Sequence, residues 1–138
     1  MTPIEELVDN FELLGDWEER YRYIIDLGKK LPPMDEAAKT DANRVEGCMS
    51  NVWVAGGFDD GDPPRLRFDA DSDAFIVKGL VALMREVYAG ATPDEVLAVD
   101  IRGFFERVGL VEHLSPTRRN GLFALVERIR AMAEEARG

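Results

Sequence analysis

Cys48 is the only cysteine in this chain of 138 residues, and its neighbours are not typical of a buried thiol. Gly47 precedes it, and the polar pair Ser50 and Asn51 follows just before an apolar, strand-like stretch. Because glycine permits backbone angles that other residues avoid, Gly47 and Cys48 predict the tip of a turn. A single thiol can form neither an internal disulfide nor a cysteine-rich metal site. It can still act as a nucleophile or carry a transferable group.

Other interpretations of the thiol have to be weighed against this one. A free cysteine commonly behaves as a small buried hydrophobe, and the local flank alone does not exclude that. A cysteine protease needs a histidine, and commonly an Asn or Asp, placed around the thiol, which disfavours a hydrolase here. One cysteine and one histidine, His113, are too few soft ligands for a zinc site, so we expect no metal. For His113 itself we favour a structural role over that of a base.

Four stretches of the chain carry motifs in a consistent order. Residues 47–53 have the sequence Gly-Cys-Met-Ser-Asn-Val-Trp. The others are Trp17–Gly28, followed by Leu31-Pro32, then Asp71–Leu80, and then His113–Leu122. In composition, order and spacing these stretches resemble the SufE family, whose signature is G-C-x-S-x-V-W and whose members accept sulfur from cysteine desulfurases. The resemblance extends over essentially the whole chain.

The resemblance implies a function for Cys48. The thiol would accept persulfide sulfur from a pyridoxal-phosphate-dependent (PLP-dependent) cysteine desulfurase of the SufS type, stimulate that enzyme and deliver sulfur to iron–sulfur cluster assembly on a scaffold such as a SufBCD-like complex. PLP would belong to the desulfurase, so we expect no cofactor on this chain beyond a transient persulfide on Cys48. The alternatives are a CsdE-like acceptor serving a CsdA-like desulfurase, a binding module that activates the desulfurase without carrying sulfur, and a thiol redox sensor.

The resemblance also implies supporting or partner-binding roles for Gly47, Ser50, Asp73 and Arg118. Arg118 would lie in the first turn of the last helix and face the desulfurase, although it also fits a solvated surface arginine. Asp73 would brace the cysteine loop or the contact surface. The alternative for Asp73 is a helix N-cap, a position that aspartate prefers, and Asp71 could take the same part.

Composition limits the cellular setting and the partners. The length corresponds to a single domain, residues 1–138, and the net charge of −10 predicts no binding to nucleic acid or to anionic lipid. The sequence contains no long apolar run and no basic-then-apolar signal segment, so we expect no membrane association. One cysteine and no targeting segment fit a cytoplasmic protein.

The pattern of apolar residues predicts an α+β fold. A capping box at Thr2–Glu5 and a cap at Asp16 begin two helices that we expect to form an antiparallel pair. A small antiparallel sheet of about three short strands should follow, with Cys48 in the connection between the first two. Further helices complete the C-terminal half. The resemblance implies a SufE/IscU-like fold, but the chain lacks the several cysteines with which scaffold proteins hold a cluster.

Overall fold

A computed structural model describes residues 3–45 and 51–137, apart from the side chains of Pro3 and Val111. Within those ranges the chain forms seven α-helices, one short 3₁₀ helix and two β-strands. In chain order they are α1 (Pro3–Leu13), α2 (Trp17–Lys29), the 3₁₀ helix (Glu36–Ala38), β1 (Val52–Phe58), β2 (Leu66–Ser72), α3 (Phe75–Tyr88), α4 (Pro93–Ala98), α5 (Ile101–Arg107), α6 (Leu110–His113) and α7 (Pro116–Arg137).

Local sequence signals explain where several helices begin. The Asp16 carboxylate accepts a hydrogen bond from the Glu19 N–H at 2.9 Å and begins α2. Thr92 and Glu95 form a reciprocal capping box at the start of α4, which has proline at its first position. The start at Asp16 agrees with the sequence-based expectation, and so does the α+β class.

The sheet is a two-stranded antiparallel hairpin within the described ranges. Its register runs from Val52 opposite Ser72 to Phe58 opposite Leu66. The expectation of about three strands is therefore wrong. The remaining predicted strand, around Val45, contributes only an isolated bridge between Arg44 and Trp53 in the described part of the chain. The residues just before it, Asp41–Asn43, form a turn and therefore do not extend the pairing.

The core lies where the hairpin and the longer helices meet α3. Helix α2 makes its most extensive helix contact with α3, and the sheet packs on α3 and α7. The expected pairing of α1 with α2 is present but limited: the Phe11 and Tyr23 rings meet edge to face at 5.3 Å, and the Asn10 amide donates to the Tyr23 hydroxyl at 3.3 Å. None of the described helices is both long enough and apolar enough to cross a bilayer.

The α2–α3 contact depends on two glycines. A Cβ on Gly28 would lie 2.8 Å from the Gly79 amide nitrogen, and a Cβ on Gly79 would overlap the Ile24 carbonyl oxygen. Because neither position has room for a side chain, the two helix backbones can approach closely. This contact places the N-terminal half of α3 beside the C-terminal end of α2.

Candidate functional site

The segment that carries the proposed nucleophile, residues 46–50, lies outside the described residues, and with it Gly47, Cys48 and Ser50. Its flanks are described. On the N-terminal side, the Val45 N–H donates to the Val52 carbonyl at 2.8 Å, and Arg44 bridges to Trp53. The residues that enter this segment, which we call the Cys48 segment, are thus fixed to the start of β1.

Asp73 holds the residue that leaves the Cys48 segment. Its carboxylate accepts one hydrogen bond from the Asn51 N–H at 3.1 Å and a second from the Asn51 side-chain amide at 2.9 Å. The Asp73 N–H in turn donates to the Asn51 carbonyl at 3.3 Å. The two residues are 22 positions apart, so these bonds join the end of the segment to the turn between β2 and α3.

The helix-capping alternative for Asp73 and Asp71 is wrong. Helix α3 begins at Phe75, its N-cap residue is Ala74, and no side chain caps it by a hydrogen bond. The Ser72 hydroxyl oxygen accepts from the Ala74 N–H at 3.3 Å, just before the helix. The Asp73 carboxylate does not cap α3, because both of its oxygens accept hydrogen bonds from Asn51 instead.

Asp71, two residues before Asp73, lies in a charged cluster with Lys39 and Lys78. It is only 7% exposed, and its oxygens lie 3.1 Å from the Lys39 Nζ and 3.3 Å from the Lys78 Nζ. The Ser72 N–H also donates to it at 2.8 Å. Burial opposes the charge on Asp71, but the hydrogen bonds from Lys39, from the Ser72 N–H and from Lys78 outweigh burial and hold the pKa of the carboxyl below its ordinary value.

Lys39 connects this cluster to β1. Its Nζ lies 3.0 Å from a Glu36 carboxylate oxygen and 5.3 Å from the centre of the Trp53 ring. Hydrogen bonds to Glu36 and then to Asp71 raise the pKa of Lys39 above its ordinary value. Because Trp53 pairs with Asp71 in the sheet, the cluster ties the chain before the Cys48 segment to both strands after it.

The sequence-based reasoning missed Lys39 and Lys78 as part of the site. Asp71 follows the exposed residues Arg67 and Asp69 at alternate positions of β2, which predicts an outward-facing side chain. Its burial depends on the two lysines that cover it, and one of them comes from the 36–42 stretch, which has no regular pattern. Lys78 could have been suspected because it lies seven residues beyond Asp71 within one motif.

Arg118 is exposed in the first turn of α7, where its N–H donates to the Ser115 hydroxyl at 3.3 Å. It is seven residues, about two helical turns, before the buried Leu125, so it continues the line of the helix face that packs on the core. Farther along α7, Arg128 donates to the Ala42 carbonyl at 2.7 Å. The described contacts include none between Arg118 and Asp73 or Asn51. The structure therefore does not bring the predicted residues Arg118 and Asp73 into direct contact.

His113 has the surroundings of a structural histidine. Its ring stacks on Trp17 at 4.2 Å with an interplanar angle of 15°, and its Nδ1 lies 2.9 Å from the Gly109 carbonyl oxygen. Within the described ranges, no three His, Cys, Asp or Glu side chains group together as metal ligands would.

Comparison with known proteins identifies the family. The family model for the SufE Fe-S metabolism associated domain matches residues 5–133. An uncharacterised SufE-like protein of Rhizobium meliloti is 44% identical over 135 residues, covering 97% of this chain and 96% of the relative. A second from Rhizobium etli is 46% identical over 136 residues, covering 97% and 91%.

A solved structure has a similar fold. The solution structure of a hypothetical protein from Thermus thermophilus superposes with a TM-score of 0.79 at 27% identity, covering 99% of this chain and 98% of the other. The chain has the SufE-type α+β fold and belongs to the SufE family, which is associated with iron–sulfur metabolism.

Proposed function

We propose that this chain is a sulfur acceptor that takes persulfide sulfur from a PLP-dependent cysteine desulfurase onto Cys48 and delivers it to iron–sulfur cluster assembly. Membership of the SufE family and the Gly-Cys-x-Ser-x-Val-Trp motif at residues 47–53 support the proposal. The donor is a SufS-like or CsdA-like desulfurase, and the recipient is a scaffold such as a SufBCD-like complex. The transfer takes place in the cytoplasm.

The transfer itself needs few groups on this chain. The Cys48 thiolate attacks the outer sulfur of the desulfurase persulfide, a new S–S bond forms on Cys48, and the bond to the donor sulfur breaks. The desulfurase cysteine leaves as a thiolate, so no outside oxidant or reductant is consumed. PLP remains on the desulfurase, where it drives C–S cleavage, and this chain carries only the transient persulfide.

The observation that best supports this function is the fixing of both flanks of the Cys48 segment. Val45 is bonded to Val52 on one side, and Asn51 is bonded to Asp73 on the other. A carrier that exchanges sulfur with another protein benefits from a nucleophile that is presented from fixed points, because orientation lowers the barrier of the exchange. In this proposal Gly47 and Ser50 have supporting roles, Asp73 braces the C-terminal flank of the segment, and Arg118 faces the desulfurase.

Replacement of Cys48 by serine tests the carrier role. Desulfurase turnover is followed with wild-type protein and with Cys48→Ser at equal concentrations. If the chain is a carrier, Cys48→Ser no longer stimulates the desulfurase, because the outer sulfur of the desulfurase persulfide is no longer removed. Full stimulation by Cys48→Ser would instead identify a binding module that activates the desulfurase without carrying sulfur.

A further inference from the structure

Phe75 is an aromatic side chain that the fold leaves in solvent. It is the first residue of α3 and is 82% exposed. Among the large hydrophobic residues in the described part of the chain, only Leu13, at 84%, is comparably exposed. Single exposed apolar residues are common on protein surfaces, so the position of Phe75 has to carry the argument.

That position is close in sequence to the contact that fixes Asn51, the first described residue after the Cys48 segment. Phe75 follows Asp73 by two residues, and Asp73 binds Asn51, the residue that leaves the segment. The buried face of α3 begins only at Ile76 and continues through Gly79 and Leu80. Phe75 therefore lies off the packed face of α3, at the end of the helix that follows the Asn51–Asp73 contact.

Phe75 is not needed to build the core. Its ring contacts no other aromatic ring in the described part of the chain, and its exposure leaves little apolar surface to be gained from folding. An aromatic ring that gains so little from folding can gain much more when a second protein covers it. Aromatic residues, phenylalanine among them, are enriched in the buried centres of protein–protein interfaces relative to the rest of the surface.

We propose that Phe75 is a docking residue for the sulfur-donating desulfurase and that its ring enters an apolar pocket on that enzyme. The inference rests on the proposed function: persulfide exchange requires the donor sulfur to touch Cys48, so the donor must cover the surface next to the Cys48 segment. That surface includes the Asn51–Asp73 pair and, two residues on, Phe75. The occupant is therefore the protein that delivers sulfur to Cys48.

The test compares Phe75→Ala with Leu13→Ala. Leu13 ends α1 and so lies near the start of α2. Phe75 lies one turn before Gly79, which packs on Gly28 at the other end of α2. The two exposed residues are therefore near opposite ends of α2, which is about 20 Å long. Binding is measured with a desulfurase whose persulfide-forming cysteine is replaced by serine, so that affinity is separated from transfer. We expect Phe75→Ala to raise the Kd by about tenfold or more and Leu13→Ala to leave it within about twofold.

Turnover separates docking from a structural effect. With active desulfurase, Phe75→Ala should raise the half-saturating concentration of the carrier while the stimulation at saturation stays at the wild-type level. Phe75→Leu should restore part of the affinity because it restores apolar surface. Unfolding by urea should be the same for wild type and Phe75→Ala.

The outcomes distinguish the inference from the proposed function. A wild-type Kd for Phe75→Ala, in a protein that still gains sulfur on Cys48, would overturn the docking role alone. Loss of self-association on Phe75→Ala, with desulfurase binding unchanged, would identify a second copy of this chain as the occupant and would also overturn it. Failure of the wild-type protein to bind any desulfurase would contradict the proposed function itself.

Discussion

Asp73 and Asn51 form the contact that fixes one end of the Cys48 segment. Neither side chain makes another hydrogen bond among the described residues. Asp73 is exposed, and in the described part of the chain its carboxylate serves Asn51 rather than the helix that follows. Aspartate is a preferred helix cap, which made capping an equally good expectation from the sequence. The choice between the two roles depends on a residue 22 positions earlier, which local sequence rules do not consider.

Removal of this carboxylate should slow sulfur transfer more than it weakens the fold. Asp73→Ala removes two hydrogen bonds to a charged acceptor, and a loss of positioning worth about 1.4 kcal/mol would slow the exchange roughly tenfold. The rate of persulfide formation on Cys48 measures the effect. Asp69→Ala is the matched control, because Asp69 is an exposed aspartate on β2 with no side-chain hydrogen bond or ion pair among the described residues. Equal rates for both variants would remove Asp73 from the site.

Arg118 gives the second prediction at the residue scale. Its exposed side chain makes no ion pair within the described ranges, so Arg118→Ala should leave the free energy of unfolding within roughly 0.5 kcal/mol. It should nevertheless reduce stimulation of the desulfurase at concentrations below saturation. Arg119→Ala, one residue on and about 100° around the helix, should reduce it less. Identical stimulation curves for Arg118→Ala and wild type would make Arg118 a solvated surface arginine.

At the scale of elements, the close approach of α2 and α3 positions the turn that holds Asp73. Because a Cβ on Gly79 would overlap the Ile24 carbonyl, Gly79→Ala should force the two backbones apart and destabilise the protein by about 1–3 kcal/mol. Gly57→Ala in β1 is the control, since no described atom lies within 4 Å of the added Cβ. Urea unfolding of the two variants checks the prediction, and similar midpoints would mean that the helix contact yields without strain.

The elements themselves were largely predictable, and the exceptions have physical causes. Repeating apolar residues predicted the helices, and the cap at Asp16 predicted the start of α2, because those signals are local. The third strand that the sequence predicts, around Val45, is not present within the described ranges. In those ranges this stretch pairs with β1 through one bridge, since the polar residues just before it are held in a turn by hydrogen bonds such as that from the Arg44 N–H to the Asp41 carbonyl at 3.2 Å.

At the scale of the whole molecule, the Asp71 cluster links stability to pH. The folded-state pKa of Asp71 lies below the ordinary value of 3.8, so its carboxylate stabilises the fold above that value, and this contribution is lost as the pH falls through the lower, folded pKa. Asp71→Asn should therefore lower the free energy of unfolding at pH 7 by roughly 1–3 kcal/mol. The variant should then lose less further stability than wild type between about pH 4 and the acid limit.

The control for this prediction is an exposed ion pair. Asp94 lies 3.0 Å from Arg137, but both side chains are more than half exposed, so Asp94→Asn should change stability little. Urea unfolding of the three proteins at pH 7 and at a series of acidic pH values makes the comparison. Parallel pH profiles for wild type and Asp71→Asn would contradict the role of the cluster.

The central claim concerns the whole protein acting with its partner, and intact-mass measurement tests it most directly. Wild-type chain and Cys48→Ser are each incubated with an active desulfurase and free cysteine, and their masses are recorded before and after a reductant. We predict that the wild-type chain gains one or more sulfur atoms on Cys48, that the reductant removes them, and that Cys48→Ser gains none. A wild-type chain that acquires no sulfur from a desulfurase that is turning over would contradict the account.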